Sequence, residues 1–354
     1  MPALTDLSSF STYPIIQAPM AGGASHPRLA AAVGGAGGLG FLAAGYKTPE
    51  AMYEEIRQLR DQSTHPFGVN LFMPQPGTAD PSAVAVYAEQ LAGESAWYAT
   101  ALGDPDAGTD DAYDAKVSIL LADPVPIVSF TFGCPDRTVL DAFAKAGTFT
   151  IVTVTSPAEA LAAQWAGADA VCVQGVEAGG HQGTHRDDPR LDGAGTGLLS
   201  LIPQVREAVQ LPLIAAGGLM RGSQIAAALA AGADAAQLGT AFLVCPESGA
   251  GPLHKKAVTD PVFARTELTR AFSGRPARGL LNRFMSEHGP YAPPGYPQVH
   301  HLTATLRKAA AAAGDPQGMA LWAGQGHRLA RELSAGRLVE LLVAELHAAR
   351  EALA

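Results

Sequence analysis

The feature that most constrains this chain is a repeating module. A short apolar run is followed by an Ala-rich stretch, a glycine and another apolar run. AGADA occurs at Ala166–Ala170 and again at Ala231–Ala235, each time closing a helical stretch and opening a strand-like run (VCVQG, AQLGT). AGGLGF at Ala36–Phe41 and AGTFTI at Ala146–Ile151 are looser copies. Glycine at such a point can take the left-handed conformation that ends a helix, and small neighbours let helix and strand approach closely. Eight apolar runs have strand length: Ile15–Met20, Leu39–Ala43, Phe67–Phe72, Pro126–Phe132, Phe149–Thr155, Ala170–Gly175, Pro212–Ala216 and Ala235–Leu238. They are continuous rather than alternating, which suits a parallel sheet covered on both faces. Repeated αβ units build a closed parallel barrel or an open doubly wound sheet, and eight strands favour a (β/α)8 TIM barrel.

Such a barrel takes about 250 residues, and the chain has 354. The surplus falls in two stretches without strand rhythm, Gln75–Asp123 and Pro246–Glu332, the second with a Pro-rich run at Gly289–Pro297 and an Ala-rich helix at Leu302–Ala313. We expect 1–74 and 124–245 to form the barrel, with 334–354 free to return to it. Residues 75–123 and 246–333 are expected to form a helical subdomain over its mouth. A composition 47% hydrophobic and 16% charged excludes disorder for most of the chain. The formal charge is 24 − 33 = −9 with no basic run, which argues against a nucleic-acid partner. Cys134, Cys172 and Cys245 are odd in number and far apart, so neither a disulfide framework nor a metal site is expected. The N-terminal stretch has no basic region leading into an apolar one, and no apolar run reaches the roughly 20 residues that span a bilayer. The expectation is an unprocessed cytoplasmic protein, with no membrane partner, as a monomer or a homodimer.

GGAGGLG at Gly34–Gly40 contains GxGxxG. A dinucleotide fingerprint needs a strand before it and a helix after it; here the expected order is reversed, so a helix-ending turn is the better reading. Gly217–Gly218 and Gln237–Leu238–Gly239–Thr240 lie at the carboxyl ends of the expected seventh and eighth strands. Barrels often bind phosphate there through backbone N–H groups; ordinary tight turns are the bland alternative. GVEAGGHQG at Gly175–Gly183 follows the sixth strand. Its His181 can serve as acid, base or hydrogen-bond donor near neutral pH, or be merely structural. Glu177 is read as a loop anchor, and His185 and Arg186 as solvated. Asn70 and Gln174 interrupt apolar strand ends, where a buried amide needs partners. A flavin edge or the backbone itself could supply them. SFTFG at Ser129–Gly133 offers rings to wall an apolar pocket.

QAPMAGG (Gln17–Gly23), AAAVGGAGGLG (Ala30–Gly40), FGVNLF, SFTFG, GVEAGGHQG, AAGGL, QLGTAFL, TRAFSGRPARGLLN (Thr269–Asn282) and LWAGQG (Leu321–Gly326) follow one another along nearly the whole chain. In this order they resemble the nitronate monooxygenase family of FMN-dependent barrel enzymes. The resemblance implies FMN held by Ala18, Pro19, Met20, Asn70, Gln174, Gly179, Gly217, Gly218, Gln237, Leu238, Gly239 and Thr240, with His181 as the active-site histidine. It implies an alkyl nitronate substrate of the propionate 3-nitronate class, oxidised by molecular oxygen to a carbonyl compound and nitrite. One departure is His185 after GGHQGT, where an apolar pocket wall is expected. An acidic protein also repels an anionic substrate at long range, so a local positive field near His181, from helix N-termini or a nearby arginine, must compensate; Arg275 and Arg278 are candidates by belonging to a matching segment. Flavin-dependent reductases of enoyl thioesters or quinones, which use NADH, share some of these patterns and are the alternative. A barrel that binds a phosphorylated ligand without catalysis is a third reading.

Overall fold

The computed structural model describes residues 7–75, 79–108, 110–191 and 195–353. Residues 1–6 and 192–194 of the expected barrel segments, residues 76–78 and 109 of the expected subdomain, and Ala354 lie outside these. All eight expected runs are strands: β1 (Ile15–Gln17), β2 (Gly40–Ala43), β3 (Phe67–Phe72), β4 (Ile127–Thr131), β5 (Phe149–Val154), β6 (Ala170–Gln174), β8 (Leu213–Ala216) and β9 (Ala235–Leu238). They form one parallel sheet ordered β1-β9-β8-β6-β5-β4-β3-β2. A parallel bridge between Ile16 and Leu39 joins its two edges, which makes a (β/α)8 barrel.

Alternate side chains of these strands fill the barrel. Ile16, Leu39, Phe41, Ile127, Ile151 and Ile214 belong to one buried cluster with Phe10, whose ring lies 5.3 Å from that of Phe149. A Cβ at Gly68 would fall 2.2 Å from the Phe41 ring, so the glycine gives that ring its room. The intervening residues, such as Val69, Leu71, Val128, Phe130 and Val152, face the surrounding helices in a second cluster. The AGADA echo is a structural repeat. Gly167 and Gly232 are left-handed at helix ends (φ +99° and +114°). Asp169 Oδ2 accepts from Thr150 N (2.8 Å) in β5, and Asp234 Oδ2 from Leu213 N (2.7 Å) in β8. Each aspartate thus clasps the preceding strand to its own.

Helix Ala335–Leu353 completes the outer ring, burying Leu338, Val339, Leu342 and Leu346 in the barrel cluster. Its Glu345 Oε2 accepts from Gly222 N (2.7 Å), the start of helix Gly222–Ala230. The surplus stretches share a separate core of Val84, Tyr87, Leu91, Phe272, Phe284 and Val299, among others. Glu94 and Arg283 pair across it (Nη2–Oε2 2.8 Å). Two departures from expectation stand out. Helix Tyr113–Ala122 packs on the barrel, because its Tyr113, Val117 and Leu120 are buried in the barrel cluster. The 246–333 stretch is not purely helical: β10 (Thr266–Thr269) and β11 (Ala277–Leu280) pair antiparallel, and β11 pairs with the two-residue β7 (Gly180–His181). TELT and ARGL lack an apolar stripe, since their partners rather than their periodicity make them strands. Among the described residues no helix is long and apolar enough to cross a membrane.

Candidate active site

One cavity of ≈ 510 Å³ opens at the carboxyl ends of the barrel strands. Its wall includes Ala18, Pro19, Met20, Asn70, Gln174, Gly179, His181, Gly217, Gly218, Gln237, Leu238, Gly239 and Thr240, so the fold brings His181 together with the residues expected to hold a cofactor, while Glu177, His185, Arg275 and Arg278 lie off the wall. The volume lies within the ~300–1,000 Å³ usual for small-molecule pockets. GGAGGLG is elsewhere: helix Pro27–Gly35 precedes it and β2 follows, at the amino end of the barrel.

The Ala18–Met20 segment is held from behind. The fully buried Gln17 donates from Nε2 to Ser25 Oγ (3.0 Å) and accepts Phe41 N on Oε1 (3.0 Å), while Met20 N donates to Ser25 Oγ (2.8 Å). Asn70 Nδ2 donates to Ser129 Oγ (2.9 Å) and Thr131 Oγ1 (3.0 Å). Its Oδ1 meets no donor among the described residues and remains for a ligand. Gln237 donates to Cys172 Sγ (3.3 Å) and likewise keeps its Oε1 unpaired among them. Gln174 differs. Its Nε2 donates to His181 O (3.2 Å) and its Oε1 accepts from Gly183 N (2.7 Å), so this amide fixes the histidine loop.

At the other end, Gly217 and Gly218 are left-handed (φ +114° and +72°). A Cβ on Gly217 would fall 2.7 Å from that of Ala178, and one on Gly218 2.9 Å from that of Glu177. A Cβ on Gly179 would fall 2.5 Å from Gly324 N, so the GGH and AGQG loops touch backbone to backbone. Gly324 N donates to Thr240 Oγ1 (2.9 Å), which leaves the Thr240 proton free to donate. Glu177 is a loop anchor: both its carboxylate oxygens accept from Leu198 N (2.9 and 3.0 Å) at the start of helix Leu198–Ala208.

His181 sits on β7, registered against Ala277 of β11, with its Nε2 2.9 Å from the buried Ser273 Oγ. Phe132, Tyr296 and Trp322 surround the imidazole at ring-centroid distances of 5.8, 5.7 and 5.5 Å. Burial above all, then the charges of Arg275 and Arg307, holds its pKa down to about 3, so it is neutral at physiological pH. Burial and Arg307 push His300, also on the cavity wall, down to about 2. Of the SFTFG rings, Phe132 lines the cavity and Phe130 faces the helices.

Three readings change. His185 is half-buried and not part of the cavity wall: its Nε2 donates to Thr153 O (2.9 Å) and its N donates to Glu159 Oε1 (2.8 Å), which ties the loop to β5. Arg275 is fully buried beneath the wall, with its guanidinium 4.2 Å from the Phe132 ring centroid and donating to Gln75 Oε1 (2.6 Å). Arg278 donates to Val176 O (2.9 Å). Both are spent on structure, and the arginine that borders the cavity is Arg307, on helix Gln298–Ala312. Arg307, Tyr46 and His300 lay outside every motif recognised in the sequence. Trp322 lay within LWAGQG without an assigned role, and Tyr296 within the Pro-rich run.

The nitronate monooxygenase family model matches residues 2–345. A nitronate monooxygenase from Pseudomonas aeruginosa is 43% identical over 94% of this chain and 96% of its own length. In structure, a nitroalkane oxidase from Streptomyces ansochromogenes matches with a TM-score of 0.96 at 69% identity, covering 98% of this chain and 99% of that one. FabK from Thermotoga maritima matches less closely, with a TM-score of 0.74 at 28% identity over 98% and 97% of the two chains. From the barrel, the cavity at its carboxyl ends and these likenesses together, the chain is a member of the nitronate monooxygenase family and an oxidoreductase of that kind.

Proposed function

We propose that this chain binds FMN in the cavity and oxidises alkyl nitronates of the propionate 3-nitronate class with molecular oxygen, giving a carbonyl compound and nitrite. The observation that carries the reading is the placing of a neutral His181 in one cavity with unpaired amide oxygens at the ends of β3 and β9 and a glycine cradle at the ends of β8 and β9. Those groups fit FMN. Gly217, Gly218, Gly239 and Thr240 would hold the phosphate through backbone N–H groups and one hydroxyl. No lysine is needed there. The Ala18–Met20 segment, Asn70, Gln174, Gly179, Gln237 and Leu238 would hold the ring system and its side chain, with Asn70 Oδ1 and Gln237 Oε1 free to accept from the ring N–H and the ribityl hydroxyls. The bound flavin supplies the electron transfer from nitronate towards oxygen, and the protein supplies placement and electrostatics.

The residues around it divide the remaining work. Ser273 Oγ lies 3.2 Å from Arg275 O, so its proton has an acceptor of its own. His181 Nε2–H then donates to Ser273 Oγ, and Nδ1 keeps its lone pair. A neutral imidazole in that tautomer hydrogen-bonds or accepts a proton; it does not pair with an anion as a cation. A nitronate is already deprotonated and needs no base, whereas a parent nitroalkane would need His181 to take its α-proton. Phe72, Phe132, Tyr296 and Trp322 exclude water from the reacting face. In this arrangement the segments 75–123 and 246–333, without helix Tyr113–Ala122, act as the cap of the site.

The test is the visible spectrum of the purified protein, reconstituted with FMN, under nitrogen. Propionate 3-nitronate should bleach the flavin band and NADH should not. Rapid bleaching by NADH alone would move the assignment to the reductases, and failure to bind FMN would overturn the reading.

A further inference from the structure

Among the described residues the cavity wall contains no aspartate or glutamate, and Arg307 is its one arginine or lysine. Its three histidines, His181, His254 and His300, are all held below their ordinary pKa by burial. The guanidinium therefore carries the only full charge facing the site. It is also poorly served by the protein. Arg307 Nη2 donates to His300 O (2.8 Å) and lies 3.4 Å from His300 Nδ1. Nε is buried with no partner, and Nη1 meets no acceptor among the described residues. The opposing groups felt by its charge are the hydroxyls of Tyr46 and Tyr296, not a carboxylate. A buried cation without a counter-ion is costly unless something supplies the negative charge. Nε is sealed off from the cavity, and Nη1 is the donor left to meet a ligand there.

We propose that Arg307 is the anion anchor of the active site, binding the planar O–N–O group of the ionised substrate and setting the preference for charged over neutral substrates. The proposal rests on the nitronate reading and adds the residue that recognises the charge. The location fits. Arg307 acts on His181 and His300, and His300 stacks on Tyr46 with centroids 4.2 Å apart. Tyr296 in turn lies 5.7 Å from His181, so the cation belongs to the aromatic end of the cavity and not to the glycine cradle. A guanidinium presents paired N–H donors at the spacing of a planar oxyanion, which a lysine cannot match. Tyr46 Oη and Tyr296 Oη, 3.3 Å apart, provide further hydroxyls beside it.

The experiment uses nitrate, a planar monoanion that the enzyme cannot oxidise, titrated calorimetrically into the FMN-loaded protein, Arg307→Gln and Arg307→Lys. The wild type should bind one nitrate. Arg307→Gln should bind it at least about tenfold more weakly, the usual loss for one charge-assisted hydrogen bond, and Arg307→Lys should fall between. FMN affinity should be unchanged in both variants. The KM for propionate 3-nitronate should rise in parallel with the nitrate Kd, with kcat nearly constant, since binding rather than chemistry is lost. Equal nitrate affinity in all three proteins, or no nitrate binding by the wild type, would overturn the proposal. Loss of FMN from Arg307→Gln would also overturn it, by assigning the guanidinium to the cofactor phosphate. Nitrate binding that depends on Arg307 in a protein that does not turn over nitronates would support the anchor and refute the proposed function.

Discussion

His181 combines two properties: it borders a ligand cavity, and its charge is suppressed by burial and by two arginines. A neutral base is useful to a neutral substrate and dispensable to an anion. His181→Asn should therefore cut kcat/KM for a parent nitroalkane by about 10²–10⁴, the range for a lost general base. For the matching nitronate the loss should be about tenfold or less, the cost of one hydrogen bond. Steady-state oxygen uptake on both substrates checks this, and equal losses would contradict the base role. Arg307, a cavity cation that no motif contained, shows why some of the site was illegible. It sits in an Ala-rich helix, QVHHLTATLRKAAAA, where an arginine reads as a solvated charge. Only the packing of that helix over the mouth turns it inward.

At the scale of elements, the barrel strands were legible because strands buried on both faces must be continuously apolar. The AGADA copies were legible because the helix-ending glycine and the clasping aspartate serve a local purpose at each turn. β7, β10 and β11 were not. GH, TELT and ARGL carry no period of their own; TELT and ARGL pair with each other locally (Thr269 against Ala277), and GH joins them only through Ala277 against His181, about a hundred positions away in the chain. The glycine cradle was legible by position at strand ends, and its necessity can be tested. Gly217→Ala places a Cβ 2.7 Å from Ala178 Cβ at φ +114°. We expect a destabilisation of about 1–3 kcal/mol from the strained conformation and FMN binding weakened about tenfold or more, because the backbone N–H groups must shift. Gly35→Ala meets nothing within 4 Å and serves as the control. Unchanged FMN affinity in Gly217→Ala, measured by flavin fluorescence quenching, would remove the cradle from the phosphate site.

For the whole molecule, the suppressed histidines set a pH dependence. His181 (about 3) and His300 (about 2) titrate in the folded protein far below the unfolded value of about 6.5. Between pH 6.5 and 3 the unfolded chain therefore binds more protons than the folded one, so stability falls as pH is lowered through that window. The thermal midpoint should drop between pH 7 and 5, and the drop should be smaller in His300→Asn. A midpoint that rises on acidification would contradict the buried neutral state. The acidic surface and the cationic cavity also act at different ranges. The net charge of −9 repels anions at distances that salt screens, while Arg307 acts at contact. The most direct measurement of the central claim is an oxygen-electrode trace of the FMN-reconstituted protein on adding propionate 3-nitronate, with nitrite assayed in the same vessel. The account predicts rapid oxygen consumption with nitrite release, and neither without FMN. A flavin-loaded protein that consumes no oxygen and releases no nitrite from this substrate would contradict it.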